Sequence, residues 1–344
     1  MFLRARRDRA APVSAALRRL RRVLQPLSWG YGGAVSARNA MFDLGVRRIE
    51  RLPVPVVSVG NVTVGGTGKT PLVLWLVASA QRAGRRPGVL ARGYGRARGA
   101  ALNDEGTMLA ARLPGLLQVQ DPDRARGGRR LVELGADWIV MDDGFQHRRL
   151  HRDTDLLCLD AAAPFADGRL LPAGDLREAP ASLRRAQAVI LTRADRLGAE
   201  ERARVAARVG AALGPGVPVF CAQHAARDVL ARPDGAALPL AAVRGRRVVL
   251  LCAIGRPESF VETAQGLGAE VVDAVRYRDH HQFTPAELRD AVDRAQRHDA
   301  TLLLTEKDDA RVLDWPAPRW VLRVDLAFLG PAPGAPLLQL EVSA

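Results

Sequence analysis

The sequence predicts an α/β protein: a mostly parallel sheet with helices on both faces, then a smaller C-terminal α/β domain joined by a β-hairpin hinge. Three observations predict it. Apolar runs at 54–59, 88–91, 138–141, 155–159, 187–192 and 217–222 are separated by helix-length segments. Near-continuous apolar strands alternating with helices belong to a parallel sheet covered on both sides. Residues 228–246 then place a Pro-Asp-Gly turn between two short apolar arms, the pattern of a hairpin. Beyond it the alternation restarts, with "RVVLLCAIG", a helix at 257–268, "EVVDAV", a helix at 285–298, "TLLLTEKD" and "RWVLRVDLAF". The expected division is residues 1–28 as a basic N-terminal helix, 29–228 as a core, 229–246 as a hinge and 247–344 as a lid.

The first element is basic and amphipathic. Within residues 4–27, Leu17, Leu20, Leu24 and Leu27 share one helical stripe, with Arg18, Arg19, Arg21 and Arg22 on its flanks. Such a helix suits an anionic lipid surface; the alternative is a helix packed on its own domain with a solvated arginine face.

The strand at 54–59 runs into "NVTVGGTGKTP". The pattern G-x-x-x-x-G-K-[ST] fits Gly68, Lys69 and Thr70, but its first glycine falls on Thr63. A strand, a loop with Gly65, Gly66 and Gly68, and a helix from Lys69 turn backbone N–H groups onto phosphates. Thr63, Val64, Gly65, Gly66, Thr67, Gly68, Lys69 and Thr70 are therefore candidate nucleotide contacts. Lys69 would serve the β- and γ-phosphates of ATP, and Thr70 a Mg²⁺ ion. A glycine turn that merely caps a helix is the bland alternative.

The later strands deliver polar residues at their carboxyl ends, where open α/β sheets bind ligands. "WIVMDDGFQH" presents Asp142 and Asp143 as Walker B-like carboxylates for Mg²⁺, against a reading as solvated turn residues or a helix cap. With the phosphate loop, this makes the core P-loop NTPase-like. "ARGYGRARGAALNDEG" offers Arg92, Tyr94 and Arg96, then Asp104 and Glu105, one of which could serve as a carboxylate base. "RYRDHHQFTPAEL" sets Asp279, His280 and His281 before a capping box of Thr284 and Glu287. Without other suitably spaced ligands the histidines read as proton-transfer or orienting groups rather than zinc ligands.

Composition bounds the function. At 344 residues, 48% hydrophobic and 26% charged, the chain suits two globular domains. No apolar run nears the ~20 residues of a membrane span, and the N-terminus lacks the apolar segment of a secretory signal. Cys158, Cys221 and Cys252 stand singly in apolar runs, as buried small hydrophobes of a reducing, cytoplasmic compartment do. A net charge of +14 favours an anionic partner. Dispersed arginines, 5% aromatics and no recognition motif argue against nucleic acid.

The basic residues are almost all arginine: Lys69 and Lys307 are the two lysines among 51. A lysine kept under such bias is a candidate for a place where a compact ammonium is required. Lys69 lies in the phosphate loop. Lys307, in "TEKD", reads equally as a surface salt bridge to Glu306 or Asp308.

Together "GNVTVGGTGKTP", "ARGYGR", "NDEG", "DDGFQHRRL", "LPAGDLRE", "IGRPESF", "DHHQFTPAEL" and "TEKD" resemble, in order from about residue 26 to 313, the tetraacyldisaccharide 4'-kinase family, the lipid A 4'-kinases. That family's loop also looks like one without the usual first glycine. The resemblance implies ATP-dependent phosphorylation of the 4'-hydroxyl of a lipid A disaccharide precursor by a peripheral protein on the anionic cytoplasmic face of the inner membrane. No obligate protein partner is implied. It assigns Lys69 and Thr70 to ATP and Mg²⁺, Asp142 and Asp143 to the Walker B carboxylates, and Asp104 to the base. A histidine of "DHH", His280 or His281, would support the base, and Arg177 of "LPAGDLRE" would touch phosphate. "NDEG" departs from the more usual glycine before the aspartate. The rival reading is a P-loop ATPase or GTPase switch, such as a metal-insertion or partitioning protein, with "DHH" as a metal relay.

Overall fold

The computed structural model describes residues 15–96 and 100–341. Residues 4–14 of the expected basic helix, and the side chains of Leu17 and Arg18, lie outside the described residues. The rest of that helix, α1 (Ala15–Asp43), does not stop near residue 28. It continues past Pro26 through "SWGYGGAVSARNAMFD", and Gly32 lets it lie close to the core at one point. A Cβ on Gly32 would stand 2.7 Å from the Leu170 side chain.

The first half follows the expected alternation. β1 (Val56–Gly60), α2 (Lys69–Arg82), β2 (Pro87–Ala91), α3 (Asp104–Arg112), β3 (Leu117–Gln120), α4 (Arg124–Glu133), β4 (Trp138–Asp142), β5 (Thr154–Asp160), β6 (Ala188–Thr192) and α5 (Ala199–Gly210) lead to β7 (Val219–Arg232). Strands β1 to β6 and the start of β7 pair in parallel, in the order β7-β6-β5-β1-β4-β2-β3. The apolar runs are buried as their composition requires: every residue of β1, β5 and β6 is buried. Leu72, Val73, Leu76, Val77 and Ala80 of α2 close one face against Val57, Val59 and Trp138. Fully burying each leucine or valine among them contributes about 1.5–3 kcal/mol.

The second half contains β8 (Ala236–Leu238), β9 (Arg247–Cys252), α6 (Pro257–Gly266), β10 (Glu270–Arg276), α7 (Pro285–Arg297), β11 (Thr301–Thr305), α8 (Glu306–Asp309) and β12 (Arg319–Phe328). The Pro-Asp-Gly turn joins β7 to β8 as an antiparallel hairpin. Strand β7, expected to end at 222, runs on to Arg232, and β12 lies antiparallel along it from Ala222 to Arg232. One sheet therefore passes through both halves, in the order β10-β9-β11-β12-β7-β6. The connection is a two-strand ribbon rather than a loop. The end of the chain does not stay with the second half. Leu338 and Leu340 enter the core beneath α2, and Trp138 Nε1 donates to the Leu338 carbonyl at 2.9 Å.

Candidate active site

The phosphate loop leaves β1 and enters α2. Thr63, where the pattern wants glycine, forms an antiparallel bridge with Leu176 and keeps a negative φ, so no glycine is needed there. Val64 N–H donates to the Asp175 carbonyl at 2.8 Å, anchoring the loop's entrance. The left-handed residues are Gly65 (φ 95°) and Gly68 (φ 85°), the latter capping α2. At Gly68 the demand is also steric, since a Cβ would meet His224 Nε2 at 2.5 Å. The Thr67 carbonyl accepts from Thr192 Oγ1 at 2.7 Å, and the Gly66 carbonyl accepts from the Arg193 guanidinium at 3.1 Å.

Two aspartates face the loop at the end of β4. Asp143 (φ 50°) meets Lys69 Nζ at 3.4 Å and the Arg177 guanidinium at 2.8 Å. Burial pushes its pKa up, but Lys69 and Arg177 outweigh burial and hold it below the ordinary carboxylate value. Asp142 is the opposite case. Burial, then the charge of Glu105, raises it to about 7 against the pull of Lys69. Its buried Oδ1 has no hydrogen-bond partner, and neither has Thr67 Oγ1. An unpaired buried oxygen is costly to keep unless something else satisfies it. Among the described residues no group of three or more His, Cys, Asp or Glu side chains could hold a metal ion by itself. Mg²⁺ does not require one, since it keeps waters and takes phosphate oxygens.

Opposite the loop, Asp104 opens α3, whose N-cap Asn103 accepts from Gly106 N–H. The helix is set by this cap. Asp104 Oδ2 contacts His280 Nδ1 at 3.3 Å and Arg311 Nε at 2.7 Å. Burial opposes ionisation there, but His280 and Arg311 prevail and hold Asp104 at about 2. His280 sits in the left-handed region (φ 62°). His281 is elsewhere: its Nε2 pairs with Glu287 at 2.9 Å and its ring stacks on Tyr277 at 4.5 Å. Lys307 pairs with neither Glu306, which binds Arg112 at 2.6 Å, nor Asp308, which binds Arg311 at 2.7 Å. It reaches Glu105 and Asp279, each at 3.2 Å, and His280 Nε2 at 3.3 Å.

A single cavity of about 1080 Å³ is lined by the loop from Val64 to Thr70, Asp142, Asp143, Arg177, Glu105, Asp279, His280 and Lys307. Tyr31, Arg38, Phe42 and Arg47 line it from α1 and the turn after it. Tyr31 Oη donates to the Arg177 carbonyl at 2.9 Å, and Ser28 Oγ to the Leu170 carbonyl at 3.0 Å, so the helix forms part of the wall. Two site residues escaped sequence reading. Arg311, one of many arginines, carried no signal. His224, half-buried with its buried Nε2 unpartnered and its pKa lowered by burial to about 3, lies mid-strand in a ribbon read as ending before it.

A family model described as tetraacyldisaccharide-1-P 4'-kinase matches residues 20–340. A tetraacyldisaccharide 4'-kinase of Anaeromyxobacter dehalogenans (strain 2CP-C) is 45% identical over 302 residues, 82% of this chain and 79% of that relative. One from Geobacter sulfurreducens is 35% identical over 339 residues, covering 93% of each. The crystal structure of LpxK from Aquifex aeolicus in complex with ATP superposes with a TM-score of 0.72 at 29% identity, covering 93% of this chain and 98% of that one. The chain belongs to the tetraacyldisaccharide-1-P 4'-kinase family, and is a kinase of lipid A precursor phosphorylation.

Proposed function

We propose that the cleft seats ATP on Thr63–Thr70 and the acceptor disaccharide against α1, with Asp104 taking the proton of the 4'-hydroxyl. The observation that carries this is the opening of both the phosphate loop and the His280 side of the dyad into one cavity. The ATP held by the Aquifex relative supports the nucleotide side. Lys69 and the loop N–H groups bind and orient the phosphates, and Arg177 steadies Asp143 beside them. Asp142, with its unsatisfied Oδ1, and Thr70 would hold Mg²⁺, with Asp143 nearby. When bound, the ion offsets charge on the phosphate oxygens. Asp104, held near pKa 2, is a weak base but always ionised. It accepts the hydroxyl proton late, once the bond to phosphorus has made that proton acidic. Labelled ATP with a disaccharide lipid acceptor tests the assignment. Label should reach the lipid, with Asp104→Ala strongly slowing transfer and retaining nucleotide binding.

We further propose that the second half, borne on the β7–β12 ribbon, closes over the nucleotide and excludes water. The exposed face of α1 is proposed to lie on the membrane. No helix among the described residues is long and apolar enough to cross one. Leu20, Val23, Leu27 and Trp29 are 52–74% exposed, so the apolar side of α1 is not spent on its own domain. Replacing Arg18, Arg19, Arg21 and Arg22 with glutamine should release protein from anionic vesicles, since each nearby basic residue contributes about 1 kcal/mol. Unchanged partitioning would assign the helix a purely structural role.

A further inference from the structure

We infer that Lys307 is a positioning residue that fixes the tautomer of His280, through the contact of its ammonium with the ring nitrogen facing away from Asp104. This rests on the reading of Asp104 as the base. The imidazole is bracketed: Nδ1 lies 3.3 Å from Asp104 Oδ2, and Nε2 lies 3.3 Å from Lys307 Nζ. An ammonium has donors and no acceptor, so Nε2 must offer its lone pair. The ring proton then sits on Nδ1, which donates to Asp104. An imidazolium would set Nε2–H against the ammonium, like charge on like charge. With its proton on Nδ1, the ring orients the carboxylate toward the substrate hydroxyl.

Lys307 is itself held by two carboxylates, Glu105 Oε1 and Asp279 Oδ1, each at 3.2 Å. Glu105 belongs to α3 in the first half and Lys307 to α8 in the second. The same two helices are joined by Arg112–Glu306 at 2.6 Å, and Arg311 beside α8 pairs with Asp104. The ammonium therefore reports to His280 that the two halves are engaged. The arginine bias of the chain makes the residue choice informative. A guanidinium is a planar fork, and it cannot place one proton on an imidazole nitrogen while bridging two carboxylates in the same way.

The groups facing His280 are Asp104, Asp279 (3.9 Å from Nε2), Lys307 and the edge of the Tyr94 ring. Removing the ammonium leaves Nε2 without its donor, so the ring proton is no longer confined to Nδ1. The test is Lys307→Met and Lys307→Arg in the full-length kinase, read three ways. Maximal rate should fall by up to about tenfold, no more than loss of the ring itself, while the KM for ATP stays within about twofold. Nitrogen-15 spectra of labelled histidine should show Nε2 bare in the parent and partly protonated in Lys307→Met. Adding Lys307→Met to His280→Gln should cost little further, because the lysine acts through the ring.

A parent spectrum with Nε2 protonated would overturn the inference, as would fully additive losses or a rate unchanged in both variants. A large rise in the KM for ATP would place Lys307 on the nucleotide instead. If Asp104→Ala and His280→Gln are themselves near normal, the underlying base assignment fails, a result separable from failure at Lys307 alone. Should Lys307→Met fold poorly, Lys307→Arg with the parent's spectrum carries the same decision.

Discussion

The proposed phosphate side of the cleft takes Thr63–Thr70, Asp142 and Asp143 from the ends of β1 and β4, which are paired neighbours in one sheet. The proposed acceptor side joins Asp104 to His280, residues 176 positions apart, through α3 of the first half and the segment before α7 of the second. The first is rigid because its parts share strand hydrogen bonds. The second exists only while three ion pairs between α3 and the segment 306–311 hold. Nucleotide binding and proton acceptance should therefore fail separately under mutation.

The largest effect is expected at the loop. Lys69→Arg keeps the charge but overfills a cradle already closed by His224 behind Gly68, so turnover should fall by roughly a thousandfold. Label transfer to lipid measures it, and near-normal turnover would remove the loop assignment. Next is Asp104→Ala, which should lower the maximal rate by about a hundredfold without moving ATP affinity. A loss above tenfold in ATP affinity, about 1.4 kcal/mol, would put that carboxylate on the nucleotide. The histidines sharpen the contrast within one motif. His280→Ala should cost roughly tenfold in rate, whereas His281→Ala should leave the rate nearly unchanged, because its ring serves Glu287 and Tyr277.

The smallest effect is thermodynamic. Asp142 is raised to about 7, so the native state binds its proton more tightly than the unfolded chain does. Below the ordinary carboxylate pKa this costs nothing. As pH climbs from about 4 through 7 the charge must be carried in the cleft, and stability falls. Asp142→Asn should therefore stabilise the ligand-free protein at pH 8 by about 1–2 kcal/mol after screening by cleft water. The gain should vanish near pH 4, while activity is lost at both. Thermal unfolding across that range measures it, and a pH-independent gain would assign it to packing.

The same contrast governs what was legible in the sequence. Strands β1, β2, β4, β5 and β6 announce themselves because burial on both faces forces continuous apolar runs. The loop is legible because its conformations demand glycine locally. Strand β3, "LQVQ", is half-buried at the sheet's edge, so its composition is mixed and it was passed over. The extension of β7 through "QHAARD" was missed for the same reason: a ribbon bridging two halves is only partly buried. The "DHH" motif offers two candidate histidines without ranking them, since which one faces Asp104 depends on a backbone turn that places His280 at φ 62°. Lys307 was flagged by rarity and its partners were not, because they come from α3 and from the turn before α7.

The return of residues 337–340 beneath α2 has a consequence for how the molecule is made. Trp138 Nε1 is satisfied by the Leu338 carbonyl 200 positions later, and Thr154 Oγ1 by the Leu337 carbonyl 183 positions later. The nucleotide-binding half is encoded first, yet its floor is supplied by residues translated after the second half. A nascent chain therefore cannot finish its first half in the order of synthesis, and the slow, long-range closure falls at the end. Until that segment emerges from the ribosome, the kinase core stays unsealed, and proteolysis during synthesis should be most damaging there.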